Sequence, residues 1–346
     1  VAETTTAPPP GDAAPSSRAA RPLARRLRSS WPVLLVALVG LASAAGIALY
    51  DIPVPPGTSG HTTIVMMRLT SIVTVVIVGC AQGLATLVFQ TVAGNRILTP
   101  SILGFDAMYR VVQTAAIFLG GAGALAVTGS AAASAVQTVV MVVFATALYG
   151  WLFSGRRANL HLLLLVGVVL GMGFASLATF MQRLLTPSEF DILTARLFGN
   201  ISAADPDYLP WAGAIVGVVA IVLWRRRHVL DVVGLGRQTA TSLGVSYQRE
   251  VLLVLLLVAL LVATSVSLVG PMTFLGFVVA LLTYQLVGSH EHSRLIPVVL
   301  LLGATTLLLA YFVLRHVFYA QGLVTVIIEL IGGSVFLIHL LRKGLR

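Results

Sequence analysis

Residues 250–268 read EVLLVLLLVALLVATSVSL, and after Glu250 the segment carries no charge at all. As a helix rising about 1.5 Å per residue, it is long enough to cross most of a ~30 Å hydrocarbon layer. Working outward, apolar windows of similar length recur at 32–50, 65–89, 104–121, 130–153, 160–182, 209–226, 272–287, 295–314 and 322–341, cut by charges and Gly/Pro turns. The windows 104–121 and 272–287 are short enough to be broken or re-entrant. The pattern predicts an all-α polytopic membrane protein with about ten transmembrane helices in one bundle. Composition excludes the soluble alternative. Of the 346 residues 58% are apolar and 10% charged, against about 25% charged in a soluble domain.

The net charge is +10, but the basic residues form short clusters between apolar runs, which reads as membrane topology and not as a nucleic-acid face. Alternating through ten spans from an inner N-terminus gathers most of them on one side: Arg18 to Arg28, Arg96, Arg156/Arg157, Arg225/Arg226/Arg227, Arg237, Arg249, Arg294 and Arg342/Lys343/Arg346. Arg68, Arg183, Arg196 and Arg315 fall outside, and Arg110 falls within a span. Both termini are therefore expected in the cytoplasm of a plasma-membrane protein. Residues 1–30, rich in Ala, Pro, Ser and Thr and then Arg, read as a disordered basic cytoplasmic tail, and 31–346 as the membrane domain. The run from Trp31 to Tyr50 exceeds the ~7–15 residues of a cleavable signal core, which favours an uncleaved first helix.

Catalytic motifs are missing from the chain. There is no Walker A sequence, HExxH, CxxC or GxSxG, so neither an ATP site nor a catalytic or cofactor site is expected. Cys80 is the single cysteine and reads as a small packing residue. His290-Glu291-His292 reads as a solvated turn without a third metal ligand. Asp106 and Arg110, spaced i, i+4, are expected to form a structural intramembrane pair, because an unpaired charge in lipid is costly. Glu329 stands alone in the last span. It is either a carboxylate bonded to a neighbouring helix or a polar group facing a substrate pathway; a proton relay through Glu329 and Asp106 would make the chain a secondary carrier. Gly79/Gly83 and Gly167/Gly171 have the spacing that lets helix backbones approach. Two loops exceed a simple turn. The one at 184–208 has room for a short interfacial helix. The one at 225–250 contains Thr239 to Leu243, enough for one or two helical turns, and is the natural place for a soluble partner.

Arg68-Leu69, Val78-Gly79, Phe89-Gln90, Asn95-Arg96, Thr99-Pro100 and Leu103-Gly104 resemble the second-helix signature of the FecCD-type permeases. These are membrane subunits of ABC importers for ferric siderophores, haem and vitamin B12. The likeness continues in Ser242-Leu243-Gly244-Val245, Gly270-Pro271-Met272-Thr273-Phe274-Leu275-Gly276, His292-Ser293-Arg294-Leu295-Ile296-Pro297 and Gly332-Gly333-Ser334-Val335-Phe336. Asn95 to Pro100 with Leu103 to Asp106 look closest to the branch for catecholate-type siderophores such as petrobactin or anguibactin. The resemblance implies a permease subunit without its own ATP site, paired with a second permease subunit, two ATP-binding subunits and an extracytoplasmic substrate-binding lipoprotein. It also implies that 235–245 is a cytoplasmic coupling segment, with Leu235, Gly236, Arg237, Ala240, Ser242, Leu243 and Gly244 at the ATPase. Arg68 and Arg315 would dock the binding protein. Departures occur at Thr70-Ser71, Ala280, Leu281, Tyr284 and Ser334; they point to an unequal partner and leave the cargo open among ferric siderophore, haem and vitamin B12.

Overall fold

The computed structural model describes residues 21–50, 52, 54–55, 57–127, 130–153, 160–197, 200–201, 204–318 and 324–344. Residues 1–20 of the expected tail, Arg156/Arg157 and Arg346 lie outside the described residues. Among those described the chain is all helical: α1 (Arg21–Leu49), α2 (Ser59–Ala93), a 3-10 turn (Pro100–Leu103), α3 (Phe105–Val127), α4 (Ala131–Phe153), α5 (Leu160–Gln182), α6 (Pro187–Leu197), α7 (Leu209–Arg225), α8 (Arg227–Val233), α9 (Arg237–Ser242), α10 (Tyr247–Val269), α11 (Leu275–Val287), α12 (His292–His316) and α13 (Val324–Gly344).

The expected ten crossings are not found. Six described helices are long and apolar enough to span: Trp31–Leu49, Ser59–Ala93, Ala131–Trp151, Leu162–Gln182, Tyr247–Val269 and His292–His316. The pair α7 and α8, bent by 66° at Arg226, raises the number to seven at most. The reason is that an apolar window does not show where a helix starts or breaks. The 104–121 window ends in a helix kink at Gly121 (φ 53°, ψ −148°) and holds Asp106 and Arg110 in the first turns of α3. The 272–287 window forms a helix of only 13 residues, about 20 Å. Its second residue, Gly276, packs on Gln82 and Thr86 of α2, so α11 begins inside the bundle. The apolar part of α13 is likewise short, Val324–Ile338. The alternation that placed both termini inside rested on ten crossings and falls with them.

The long helix α2 is the packing centre, with α12, α10, α11 and α7 around it. Thr58 starts it by accepting from the His61 N–H at 3.3 Å, and Gly94, in the left-handed region at φ 61°, ends it. Glycines set the distances: a Cβ on Gly79 would sit 2.2 Å from the Gly303 carbonyl oxygen, and one on Gly303 would sit 2.2 Å from that of Gly79. Gly83 lies against Val279 and Val299, while Gly104 in the 3-10 turn meets Gly167 and Gly171 of α5. The glycine spacing in the sequence thus marks real backbone contacts at two helix pairs. With no hydrophobic force between helices in lipid, such close packing carries the association.

Gly79→Val should therefore force α2 and α12 apart and cost about 1–3 kcal/mol, read as a lower midpoint in thermal unfolding of the detergent-solubilised chain. Gly173→Ala is the control, since nothing lies within 4 Å of its Cβ position. Equal effects at the two sites would refute the contact.

Candidate functional site

At one end of the bundle the chain leaves α7, turns at Arg226 into α8, and passes through α9 into α10. Gly236 (φ 92°) and Gly244 (φ 82°) bracket α9, conformations that L side chains rarely adopt. Between them Ala240 is buried against the bundle, and Thr241 and Ser242 turn their hydroxyls back to the carbonyls of Arg237 and Gln238. The outer surface of this short helix is apolar at its edges: Leu235 is 62% exposed and Leu243 61%. Arg237 is exposed beside them. Two solvent-facing leucines flanking one short projecting turn form an exposed apolar edge.

The projection is tied down at two points. Arg226, at the bend, forms a two-pronged ion pair with Glu250 of α10 at 2.6 and 2.5 Å. Asp231 of α8 accepts from the His292 backbone N–H at 2.8 Å and lies 2.6 Å from its Nδ1. The other ring nitrogen is 2.8 Å from Thr91 Oγ of α2. Close by, Arg96 stacks over Tyr284 at 4.4 Å and reaches His290 at 2.8 Å. The reading of His290-Glu291-His292 as a solvated turn fits His290 and Glu291, which are exposed, and is corrected at His292. His292 is 3% exposed and fixed from both sides, because it opens α12 against α8; nothing local in the sequence signalled Asp231, 61 residues earlier. Among the described residues no group of three His, Cys, Asp or Glu side chains is placed to hold a metal ion.

At the opposite end, Arg68 and Arg315 do different things. Arg68 is 3% exposed, and its guanidinium donates to the carbonyl of Ile47 in the last turn of α1 at 3.1 Å and to that of Tyr50 just past it at 2.6 Å. It closes that helix end, where a cation is favoured by the helix dipole. Tyr50 meets His316 edge-on. Arg315, half-buried, donates to the Tyr311 hydroxyl at 3.2 Å. The long 184–208 loop carries α6, whose first-turn Glu189 accepts from the backbone N–H and hydroxyl of Thr186. Those bonds hold its carboxyl below the usual range.

Inside the bundle, Asp106 accepts from Thr273 Oγ at 3.1 Å. The four ion pairs among the described residues do not include one between Asp106 and Arg110. Thr273 lies in the turn before α11, so the carboxylate joins two helix starts within the bundle. Glu329, exposed on α13, lies in the electrostatic reach of both Asp106 and Arg110. Cys80 is half-buried and its thiol points at the Leu300 carbonyl, 3.5 Å away.

Residues 32–342 match the FecCD transport family. The chain belongs to that family. Among curated relatives, this FecCD protein is 43% identical over 320 residues to the petrobactin import system permease protein FatC of Bacillus anthracis, covering 92% of this chain and 90% of that one. It is 35% identical over 277 residues to the petrobactin import system permease protein YclO of Bacillus subtilis, covering 80% and 88%. A solved structure described as the inward-facing conformation of a metal-chelate type ABC transporter superposes with a TM-score of 0.76 at 24% identity, covering 90% of this chain and 100% of that one. At that identity the likeness is one of fold. Within the FecCD frame, the bracketed projection at α9 and the Arg68 helix closure are features of this chain's own geometry.

Arg68→Met should leave the α1 carbonyls without that donor and cost about 1–3 kcal/mol, seen as a lower unfolding midpoint of the solubilised chain. An unchanged midpoint would contradict the closure.

Proposed function

We propose that this chain is the permease subunit of an ABC importer that passes a ferric siderophore of the petrobactin class through the plasma membrane, driven by separate ATP-binding subunits. The observation that carries the reading is the 43% identity to a petrobactin import permease, sustained over 92% of the chain. The cargo would arrive on an extracytoplasmic substrate-binding lipoprotein, and a second, unequal permease subunit would complete the channel.

Local charge supports the sidedness without any count of crossings. Arg96, Arg225, Arg226, Arg227, Arg237, Arg249 and Arg294 all cluster at the end that bears α9. Short loops rich in arginine face the cytoplasm, so α9 would meet the ATP-binding subunits. Leu235, Gly236, Arg237, Ala240, Ser242, Leu243 and Gly244 then form the coupling segment: the glycines shape it, Ala240 seats it and the leucines enter the partner's cleft. Arg315 would offer its charge to the binding protein, with Arg68 fixing the α1 end beside it; complementary charges across an interface steer docking more than they add affinity. Glu329 would face the cargo's path, since an ionisable group on an exposed helix face within lipid needs water or protein opposite it. No bond in the cargo is broken along this route, and the chain's own part is to change shape around a passage.

The test is uptake of radiolabelled ferric petrobactin into vesicles holding the complete assembly, with ATP hydrolysis measured alongside. Leu243→Arg should reduce uptake by at least about tenfold by spoiling an interface anchor, whereas Glu329→Gln should leave ATP-driven uptake in place. Normal uptake in Leu243→Arg would remove the coupling assignment. ATP-independent uptake that Glu329→Gln abolishes would mean a proton-coupled carrier instead.

A further inference from the structure

The chain from Asp231 through His292 to Thr91 crosses three elements that no covalent neighbour joins. Asp231 sits on α8, one turn before Gly236 opens the α9 projection. His292 opens α12, and Thr91 lies in the last turn of α2. An ionised carboxylate only accepts, so the 2.6 Å contact puts a proton on His292 Nδ1. With the backbone N–H at 2.8 Å, Asp231 Oδ1 thus takes two donors from one residue. The ring's far side is held by the Thr91 hydroxyl at 2.8 Å, and the imidazole is 3% exposed. Charge-assisted bonds of this kind are short and directional; here the ring is buried and the Asp231 side chain is 30% exposed.

The mechanical consequence follows from what lies behind the ring. Near mid-length α2 and α12 touch backbone to backbone at Gly79 and Gly303 and pack as one unit. The other support of the projection, Arg226 with Glu250, is 41% exposed on the arginine side and acts at the bend toward α10. One tie therefore holds the bend. The other grips the α2/α12 body at both of its ends nearest the projection.

We propose that Asp231, His292 and Thr91 form a latch that transmits displacement of the coupling segment to the α2/α12 pair. These are positioning residues: none of them touches cargo or nucleotide. The inference rests on the reading of α9 as the contact with the ATP-binding subunits. A push on α9 that arrives through a rigid hydrogen-bonded chain moves the two central helices together. With the chain cut, the push is spent in bending α8 about Arg226.

The discriminating quantity is cargo moved per ATP hydrolysed by the complete assembly in vesicles. Asp231→Asn, which keeps the shape and removes the charge, should lower that ratio about tenfold, with ATP hydrolysis within about twofold of the unaltered assembly. Thr91→Val cuts only the far end and should lower the ratio in the same sense. Hydrogen exchange on the full chain in detergent gives a second readout that does not need the partners: residues 227–245 should exchange faster in Asp231→Asn while the unfolding midpoint stays in place. An unchanged ratio overturns the latch, as does a loss of uptake and hydrolysis in equal proportion together with a lowered midpoint. If the unaltered assembly itself neither hydrolyses ATP nor moves cargo, the importer reading fails; the exchange experiment still judges the latch by itself.

Discussion

The contact between Gly79 and Gly303 is the constraint from which the rest of the architecture follows. Two backbones that approach this closely leave no room for a side chain on either, and in lipid such packing substitutes for the hydrophobic force that folds soluble proteins. Once α2 and α12 are joined there, α2 has its other faces free for α10, α11 and α7. Its polar residues act at successive depths. Arg68 closes α1, Gln82 donates to Ser265 of α10 at 3.1 Å, Gln90 donates to the Arg96 carbonyl at 2.7 Å, and Thr91 holds His292. These four side chains are each spent on a different partner, which helps to fix the register around α2.

That arrangement separates a rigid body from a part that can be gripped. The α8–α9 projection shares few apolar contacts with the core beyond Leu230, Val233 and Ala240, and it hangs from the bundle by ion pairs and hydrogen bonds. Its exposed leucines face away from the membrane domain. The kinked helix α3 and the 13-residue α11 start within the bundle, and Asp106 in the first turn of α3 links to Thr273 in the turn before α11. Backbone that begins inside a membrane protein must have its polar groups satisfied by protein or by water. There the Thr273 hydroxyl donates to the Asp106 carboxylate, with Glu329 and Arg110 exposed nearby.

Much of this was legible in the sequence, and the failures have physical causes. The all-helical membrane class followed from composition alone. The glycine spacings found the α2 and α5 contacts because only the absence of a side chain permits them, and that absence is visible in one dimension. The two short apolar windows were visible as well, but a window sums hydropathy without registering where a helix begins. Ten crossings were therefore expected where six, or seven with the bent pair, are long enough. Partners of polar residues were the least accessible. His292 finds Asp231 across 61 positions and Thr91 across 201, and Asp106 bonds Thr273 across 167 instead of the residue one turn away. Local spacing favours near neighbours, whereas a bundle chooses partners by depth.

The account as a whole depends on the α9 projection facing the cytoplasm. Leu235→Cys supplies a single exposed thiol there, since Cys80 is the only native cysteine and is half-buried in α2. A membrane-impermeant maleimide should label Leu235→Cys in inside-out vesicles and leave it unmodified in intact cells. Labelling from the outside of intact cells would place the projection where no ATP-binding subunit can reach it, and the account would be wrong.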